Sequence, residues 1–510
     1  MKVLNPDEMR RMDETCIHKY KVPAQILMEN AALSALSVIQ EEYPHHSVLL
    51  VCGSGNNGGD GLALARILFS LEKDVEVLLL GNPDHFSKET SQNYRAVREI
   101  GIPLSLNPND EELSFKPNRL IVDALLGIGL NRTVSEKYKA IIERMNHSGA
   151  PIFSLDIPSG IDGTTAQPRG ISIRADKTIC FGAPKRGNIL SPGYVYNGEL
   201  FCSRISFPPP LIRDWPGKTE FNIPSPLIQR DPLGYKNSFG RILIIGGGKN
   251  YQGAPALAAQ AAYRSGAGYV TAAVPQSQAS GFSAHCPEAV IQELQETTEK
   301  TISEKNETLL LDLASKHDVV LMGPGMTGQE ETVSLIRKLI PLIPVPLVLD
   351  ADGLNALAGS PDLTSKRKFQ TVITPHLGEQ KRLRLGLTED QSLEERYGVI
   401  CVYKGPRSRI CQSDGKEYIN LTGNDALGTA GSGDVLAGMV ATLIATQESV
   451  IQGVCKAVLL HGLTAERYPG ARESFTASDI IEALPRCLLE YKNNYNEMKQ
   501  TFLGKMKMIP

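Results

Sequence analysis

The chain is predicted to be an α/β protein of two domains, each a mainly parallel sheet covered by helices. Three observations support this. Short apolar runs alternate with helical stretches in both halves. Each half carries a glycine-rich turn between a strand and a helix. At 510 residues the chain is too long for one ordinary core, and a proline-rich stretch interrupts it near the middle.

In the first half, helical periodicity covers residues 6–20 and 24–40, and the period then changes. Buried strands are expected at 47–52, 75–80, 120–124, 152–156 and 177–181. Helices are expected at 60–71, 87–100 and 135–144. Residues 208–231 are rich in proline and poor in pattern, with Pro208-Pro209-Pro210, Pro216, Pro224 and Pro226, and Pro232 follows. Trp215, the single tryptophan, reads as a packing anchor there. The second half restarts with a strand at 241–245, Gly246-Gly247-Gly248 and an alanine-rich helix at 254–265. Further strands are expected at 269–274, 318–322, 347–350, 372–374 and 399–404. The expected division is a domain at 1–212, a linker at 213–230, a domain at 231–495 and a tail at 496–510.

Bulk properties exclude some functions. A net charge of -3 and a pI near 6.4 leave no broad basic surface for nucleic acid. The N-terminus is polar, and the longest apolar runs are too short to span a bilayer. Nine cysteines without a C-x-x-C pair read as reduced thiols, so a cytoplasmic location without membrane contact is expected. His45-His46 reads as a solvated turn rather than a zinc site.

The most informative segment is Asn424-Asp425-Ala426-Leu427-Gly428-Thr429-Ala430-Gly431-Ser432-Gly433-Asp434, which runs into an apolar helix. Such a turn presents backbone N–H groups at a helix N-terminus, where an anion is favoured. Asp434 beside that anion can take a proton from a hydroxyl attacking phosphorus. Upstream, Gly53-Ser54-Gly55-Asn56-Asn57-Gly58-Gly59-Asp60-Gly61 follows a strand and precedes a helix, where open α/β sheets bind ligands. Asp123 and Asp156 each close an apolar strand before a glycine turn. Beside Asn57 they suggest oxygen ligands for a hard cation.

Residues from about 6 to 207 resemble the NAD(P)H-hydrate epimerase family. The match rests on Asn56 to Gly61, Leu126 to Arg132 and Leu155-Asp156-Ile157-Pro158-Ser159-Gly160. The resemblance implies a Rossmann-like fold and a hydrated dinucleotide held by Asn56, Asn57, Gly58, Gly59, Asp60, Gly127, Ile128, Gly129, Leu130, Asn131, Arg132 and Thr133. It further implies K+ at Asn57, Asp123 and Ser159, and acid/base work by Asp156 at the nicotinamide ring. Lys185 also matches a family lysine, with a solvated surface role as the alternative.

Residues from about 235 to 491 resemble the ADP-dependent NAD(P)H-hydrate dehydratases of the ribokinase-like superfamily. The motifs are Gly246 to Gly248, Gly253-Ala254-Pro255, Gly323-Pro324-Gly325, Asp350-Ala351-Asp352-Gly353, Thr374-Pro375-His376-Leu377-Gly378-Glu379, Lys404-Gly405 and Gly428 to Asp434, in the family's order. By this resemblance Ala254, Gly325, His376 and Asp434 would face the substrate. Lys404, Gly405, Pro406, Arg407, Ser408 and Gly433 would hold the adenine nucleotide, and Mg2+ would assist. Two departures are Tyr235-Lys236-Asn237, where the family has His-Lys-Gly, and Ala430, where it has Gly.

The implied chemistry is repair of the NADH and NADPH hydrates, NADHX and NADPHX. One half would invert the C6 hydroxyl. The other would dehydrate the S epimer with ADP, giving AMP and phosphate. A homo-oligomer is expected. Two rivals stand beside this reading. A ribokinase-like small-molecule kinase with an N-terminal nucleotide-binding domain would use Asp434 alike but release a phosphorylated product. A scaffold with a vestigial pocket would not need Asp60, Asp123 and Asp156.

Overall fold

The computed structural model describes residues 1–108, 115–388, 391–447, 449–503 and 505–509. It divides into two compact units, Met1–Glu220 with Leu503–Pro510, and Phe221–Phe502. Both are layered α/β structures.

The first unit contains β1 (Ser47–Cys52), β2 (Val75–Leu79), β3 (Leu104–Leu106), β4 (Arg119–Ala124), β5 (Ile152–Leu155), β6 (Lys177–Phe181) and β7 (Glu199–Ser203). The order is β7-β6-β5-β4-β1-β2-β3, with Lys507–Ile509 added beside β7. Every pairing is parallel. Helices cover the sheet, so the central strands are apolar without alternation and residues 48–52 and 119–124 are all buried.

The helix Pro6–His18 is fixed by reciprocal caps: Glu8 N donates to Asn5 Oδ1 at 2.8 Å and Asn5 N donates to Glu8 Oε2 at 2.9 Å. Its buried Met9, Met12 and Cys16 join the core of their own unit, and Trp215 packs against that core. The helix after β1 starts at Asn56, not at residue 60. Gly55 serves as its cap, and the two asparagines form its first turn. The close approach there requires glycine, because a Cβ on Gly58 would lie 1.8 Å from the Gly53 carbonyl oxygen.

Strand β8 (Thr219–Phe221) spans the unit boundary. The second unit holds β9 (Arg241–Ile245), β10 (Tyr269–Pro275), β11 (Val290–Leu294), β12 (Val319–Met322), β13 (Leu347–Leu349), β14 (Thr371–Ile373), β15 (Ile400–Tyr403), β16 (Arg409–Cys411) and β17 (Glu417–Ile419). These run in the order β11-β10-β9-β12-β13-β14-β15-β16-β17. Pairings are parallel up to β15 and antiparallel beyond it. The helix Ser432–Thr446 crosses Gly253–Arg264 at short range: a Cβ on Gly438 would meet the Ala258 carbonyl oxygen at 2.1 Å. The alanine-rich face of Gly253–Arg264 permits that approach.

Among the described residues, no helix is long and apolar enough to cross a membrane. All nine cysteines are free thiols, eight of them buried.

Candidate functional site

Each sheet reverses its strand order once, between β1 and β4 in the first unit and between β9 and β12 in the second. Diverging connections at such a point leave a crevice beyond the C-terminal strand ends. The first unit's glycine-rich turn lies there, and in the second unit Gly433 lies beside the C-terminal ends of β13 and β15.

In the first unit the crevice is a cavity of about 600 Å³. Asn56, Asn57, Asp60, Asp156, Lys185 and the whole run from Gly127 to Arg132 line it. Gly58 and Gly59 do not. Gly58 packs on Gly53, and a Cβ on Gly59 would meet Thr90 Oγ1 at 2.5 Å and Met28 Cε at 2.6 Å. Thr133 is also outside the lining.

Asp156 follows β5 with a φ of 66°, a left-handed conformation that aspartate tolerates better than most residues. Its N–H donates to Ile179 O at 2.7 Å, and its Oδ1 accepts from Phe181 N at 3.2 Å and from the Lys185 ammonium. Lys185 is 1 % exposed, which removes the solvated surface role considered from sequence. Burial pulls Lys185 toward the neutral form, but Asp156 together with the neighbouring Cys180 and Cys202 outweighs it and holds the ammonium above its ordinary range.

Asp123 is buried at the end of β4. Its Oδ2 accepts from Ser154 Oγ at 2.8 Å and Ser159 N at 2.9 Å. Its Oδ1 accepts from Ser159 Oγ at 2.5 Å and Leu125 N at 3.3 Å. Burial raises its pKa, with these hydrogen bonds opposing. Asn57 is 7 % exposed, and neither amide atom has a hydrogen-bond partner. A buried amide open on both sides calls for a partner that a water, an ion or a ligand supplies.

Two further carboxyl groups at this site have raised pKa values. Burial, with Asp156 and Asp13 nearby, pushes Asp60 well above the carboxylate range. Asp13, from the helix Pro6–His18, also lines the cavity, and burial pushes it up to about 7. The sequence reading missed Asp13. It sits among charged residues on an amphipathic helix, and no local motif distinguishes it from a solvated position.

In the second unit, the turns at Gly246–Gly248 and Gly323–Gly325 pack on one another: Gly247 N donates to Pro324 O at 2.8 Å. Ala254 opens the neighbouring helix, and a Cβ on Gly325 would lie 3.5 Å from its Cβ. Gly431 takes a φ of 83° directly before the helix Ser432–Thr446, which brings Gly433 and Asp434 into that helix's first turn. Ala430 has no positive φ, so alanine fits where the resembled family has glycine.

Lys404 extends from the end of β15 into this region and pairs with Asp350 Oδ1 at 2.8 Å. Thr374 Oγ1 donates to the same oxygen at 2.8 Å. A Cβ on Gly433 would lie 3.3 Å from Lys404 Nζ and 3.9 Å from Asp350 Oδ2. The structure therefore brings Lys404, Gly433, Asp350 and Asp434 together. Burial pushes Asp434 up to about 7, with Asp350 adding to the rise and Lys404 opposing it.

The turn after Lys404 is held by hydrogen bonds of its own. Arg407 Nη1 donates to Leu421 O at 2.8 Å, and Ser408 Oγ donates to Gly405 O at 3.0 Å across Pro406. His376 caps the helix Leu377–Leu383 through Nδ1, which accepts from Gly378 N at 3.0 Å, and Glu379 accepts from His376 N at 2.8 Å. The imidazole remains largely exposed, so one side chain can cap the helix and face a ligand. Lys236 lies over the Tyr269 ring, 5.4 Å from its centroid.

Two family models match the chain: YjeF-related protein N-terminus over residues 24–187, and NAD(P)H-hydrate dehydratase over residues 242–486. The bifunctional NAD(P)H-hydrate repair enzyme Nnr of Thermofilum pendens is 36 % identical over 529 aligned positions, covering 100 % of both chains. The chain belongs to this family. The enzyme of the same name from Moorella thermoacetica is 33 % identical, covering 99 % of this chain and 100 % of its own. Among solved structures, the ADP/ATP-dependent NAD(P)H-hydrate dehydratase from Bacillus subtilis, co-crystallised with ATP and Mg2+, is 25 % identical. It covers 52 % of this chain and 95 % of its own, with a TM-score of 0.44. The two family models match in succession along this one chain.

Proposed function

We propose that the first unit interconverts the C6 epimers of NAD(P)H hydrate and that the second dehydrates the S epimer, with Asp434 as the base. The observation that carries this reading is Asp434 itself, a carboxyl with a pKa near 7 in the first turn of a glycine-led helix. The C6 hydroxyl is a poor leaving group. Asp434 takes its proton as the oxygen attacks the terminal phosphorus of ADP. Phosphorus–oxygen cleavage releases AMP. Backbone N–H groups at Gly431 to Gly433 stabilise the transferring group. The ring nitrogen's lone pair then expels phosphate, and loss of the C5 proton restores the reduced nicotinamide. Lys404, tied to Asp350, supplies fixed positive charge beside the phosphates. Ala254, Gly325 and His376 border the substrate, and Gly405 to Ser408 border the adenine nucleotide.

Among the described residues no group of three His, Cys, Asp or Glu side chains converges as a metal cage. Mg2+ does not need one, since it is commonly held by one or two carboxylates together with substrate phosphates. Asp350 and Asp352 suit that role, and the bound ion would neutralise phosphate charge. In the first unit, the open Asn57 amide supports a K+ ligand there. Asp123 and Ser159 complete the proposed set once Ser159 Oγ–H turns from the carboxylate to Leu126 O, 3.1 Å away. Replacing K+ by Na+ should then slow epimerisation and leave dehydration unchanged. Equal rates in both salts would remove K+ from the site.

Two finer readings accompany this function. The free, mostly buried thiols support a reducing, cytoplasmic setting. Ile26 and Leu33, each nearly half exposed on the helix Ala24–Glu42, support a homo-oligomer, which sedimentation would test.

The test of function separates the two halves. Asp434→Asn should abolish dehydration and spare epimerisation, and Asp156→Ala should do the reverse. ATP consumption with a phosphorylated product would favour the kinase reading.

A further inference from the structure

Resting on the epimerase reading of the first unit, we infer that Asp13 is a second catalytic carboxyl of that site, sharing proton transfer at C6 with Asp156. Inversion needs two proton movements. The hydroxyl leaves as water when a carboxyl protonates it, while the ring nitrogen's lone pair forms a C6–nitrogen double bond. Water then adds to the other face as a second group takes its proton and the pair returns to nitrogen. A single carboxylate already bound to an ammonium serves poorly for both.

Asp156 is held by Lys185 and by the Phe181 N–H, a placement that fixes its carboxylate at one side of the cavity. Asp13 enters the same cavity from a different element, the helix Pro6–His18. Asn57 lines the same cavity, and its buried amide has no hydrogen-bond partner, an independent sign that the cavity takes a ligand. The groups around Asp13 are Lys185 and Asp156 at the strand ends, Asp60 on the helix Asn56–Ser70, and Arg10, Glu14 and Cys16 on its own helix. Burial in this company raises Asp13 to about 7, where a carboxyl both gives and takes a proton near neutral pH. Burial, with Asp156 and Asp13 nearby, raises Asp60 as well.

The experiment is the epimerisation rate of the full chain between pH 5 and 9 for the wild type, Asp13→Asn and Asp13→Glu, read by separating the two epimers. Asp13→Asn should lose about 10²-fold or more and lose the decline above pH 7. Asp13→Glu should keep a measurable rate with that decline displaced. An Asp13→Asn protein with the wild-type rate, or with a lower rate and an unchanged pH profile, overturns the proposal. If Asp13→Asn does not fold, an unchanged profile in Asp13→Glu overturns it as well. A wild-type chain that does not interconvert the epimers defeats the epimerase reading itself, a result distinct from any effect at Asp13.

Discussion

Asp434 sets the pH behaviour of the second unit. As a base it must lose its proton, so dehydration should rise as pH increases through about 7 and then level off. The same carboxyl carries a stability cost. Its folded-state pKa lies above the ordinary 3.8, so the folded chain binds the proton more tightly than the unfolded chain does. Stability from this group is intact below about 4 and falls as pH rises toward 7. Thermal unfolding should therefore show Asp434→Asn melting above the wild type at pH 8 and level with it at pH 4. No difference at pH 8 would mean the carboxyl is not held against ionisation. At this scale much was legible from sequence. Asp434, Asp156 and Asn57 stand in glycine-rich motifs whose chemistry is local. Asp13 was not legible, because its place in the cavity is set by the docking of Met9, Met12 and Cys16. The burial of Lys185 was hidden for the same reason.

The glycine turns fix how the site-bearing elements begin. Gly431 has a φ of 83°, and a Cβ there would lie 2.7 Å from Leu257 Cδ1 and 3.0 Å from Ala477 Cβ. Gly431→Ala should cost about 1–2 kcal/mol from the left-handed backbone alone, with the contacts adding to it. It should also remove most dehydration by turning the helix N-terminus from the phosphate. Denaturant unfolding together with the dehydration rate checks both, and a fully active variant would contradict the anion role of this turn. The buried strands β1, β4 and β6 were readable because continuous apolar runs between glycine or polar breaks are distinctive. The strands β3, β7, β16 and β17 and the segment Lys507–Ile509 were not. They are short or carry polar residues, and neighbouring strands determine their pairing. The helix after β1 begins earlier than its sequence suggests because packing accepts the glycines that propensity would exclude.

The two mainly parallel sheets, each with its own switch point, give the chain two independent chemistries on one substrate. A dehydratase selective for one epimer strands the other, and an epimerase in the same chain removes that limit. Mixing Asp156→Ala and Asp434→Asn proteins should thus restore full conversion, since each supplies the half the other lacks and the hydrate can diffuse between molecules. Failure to complement would mean that one variant damages both units. The two-site repair reaction is tested by near-ultraviolet absorbance of the reduced nicotinamide, followed on a mixture of both NADHX epimers with the wild-type chain, Mg2+, K+ and ADP. The time course must be shorter than uncatalysed interconversion. Recovery of the reduced cofactor from both epimers, and only with nucleotide present, is the predicted result. Recovery that stops at the share of one epimer, or that proceeds without nucleotide, would contradict it.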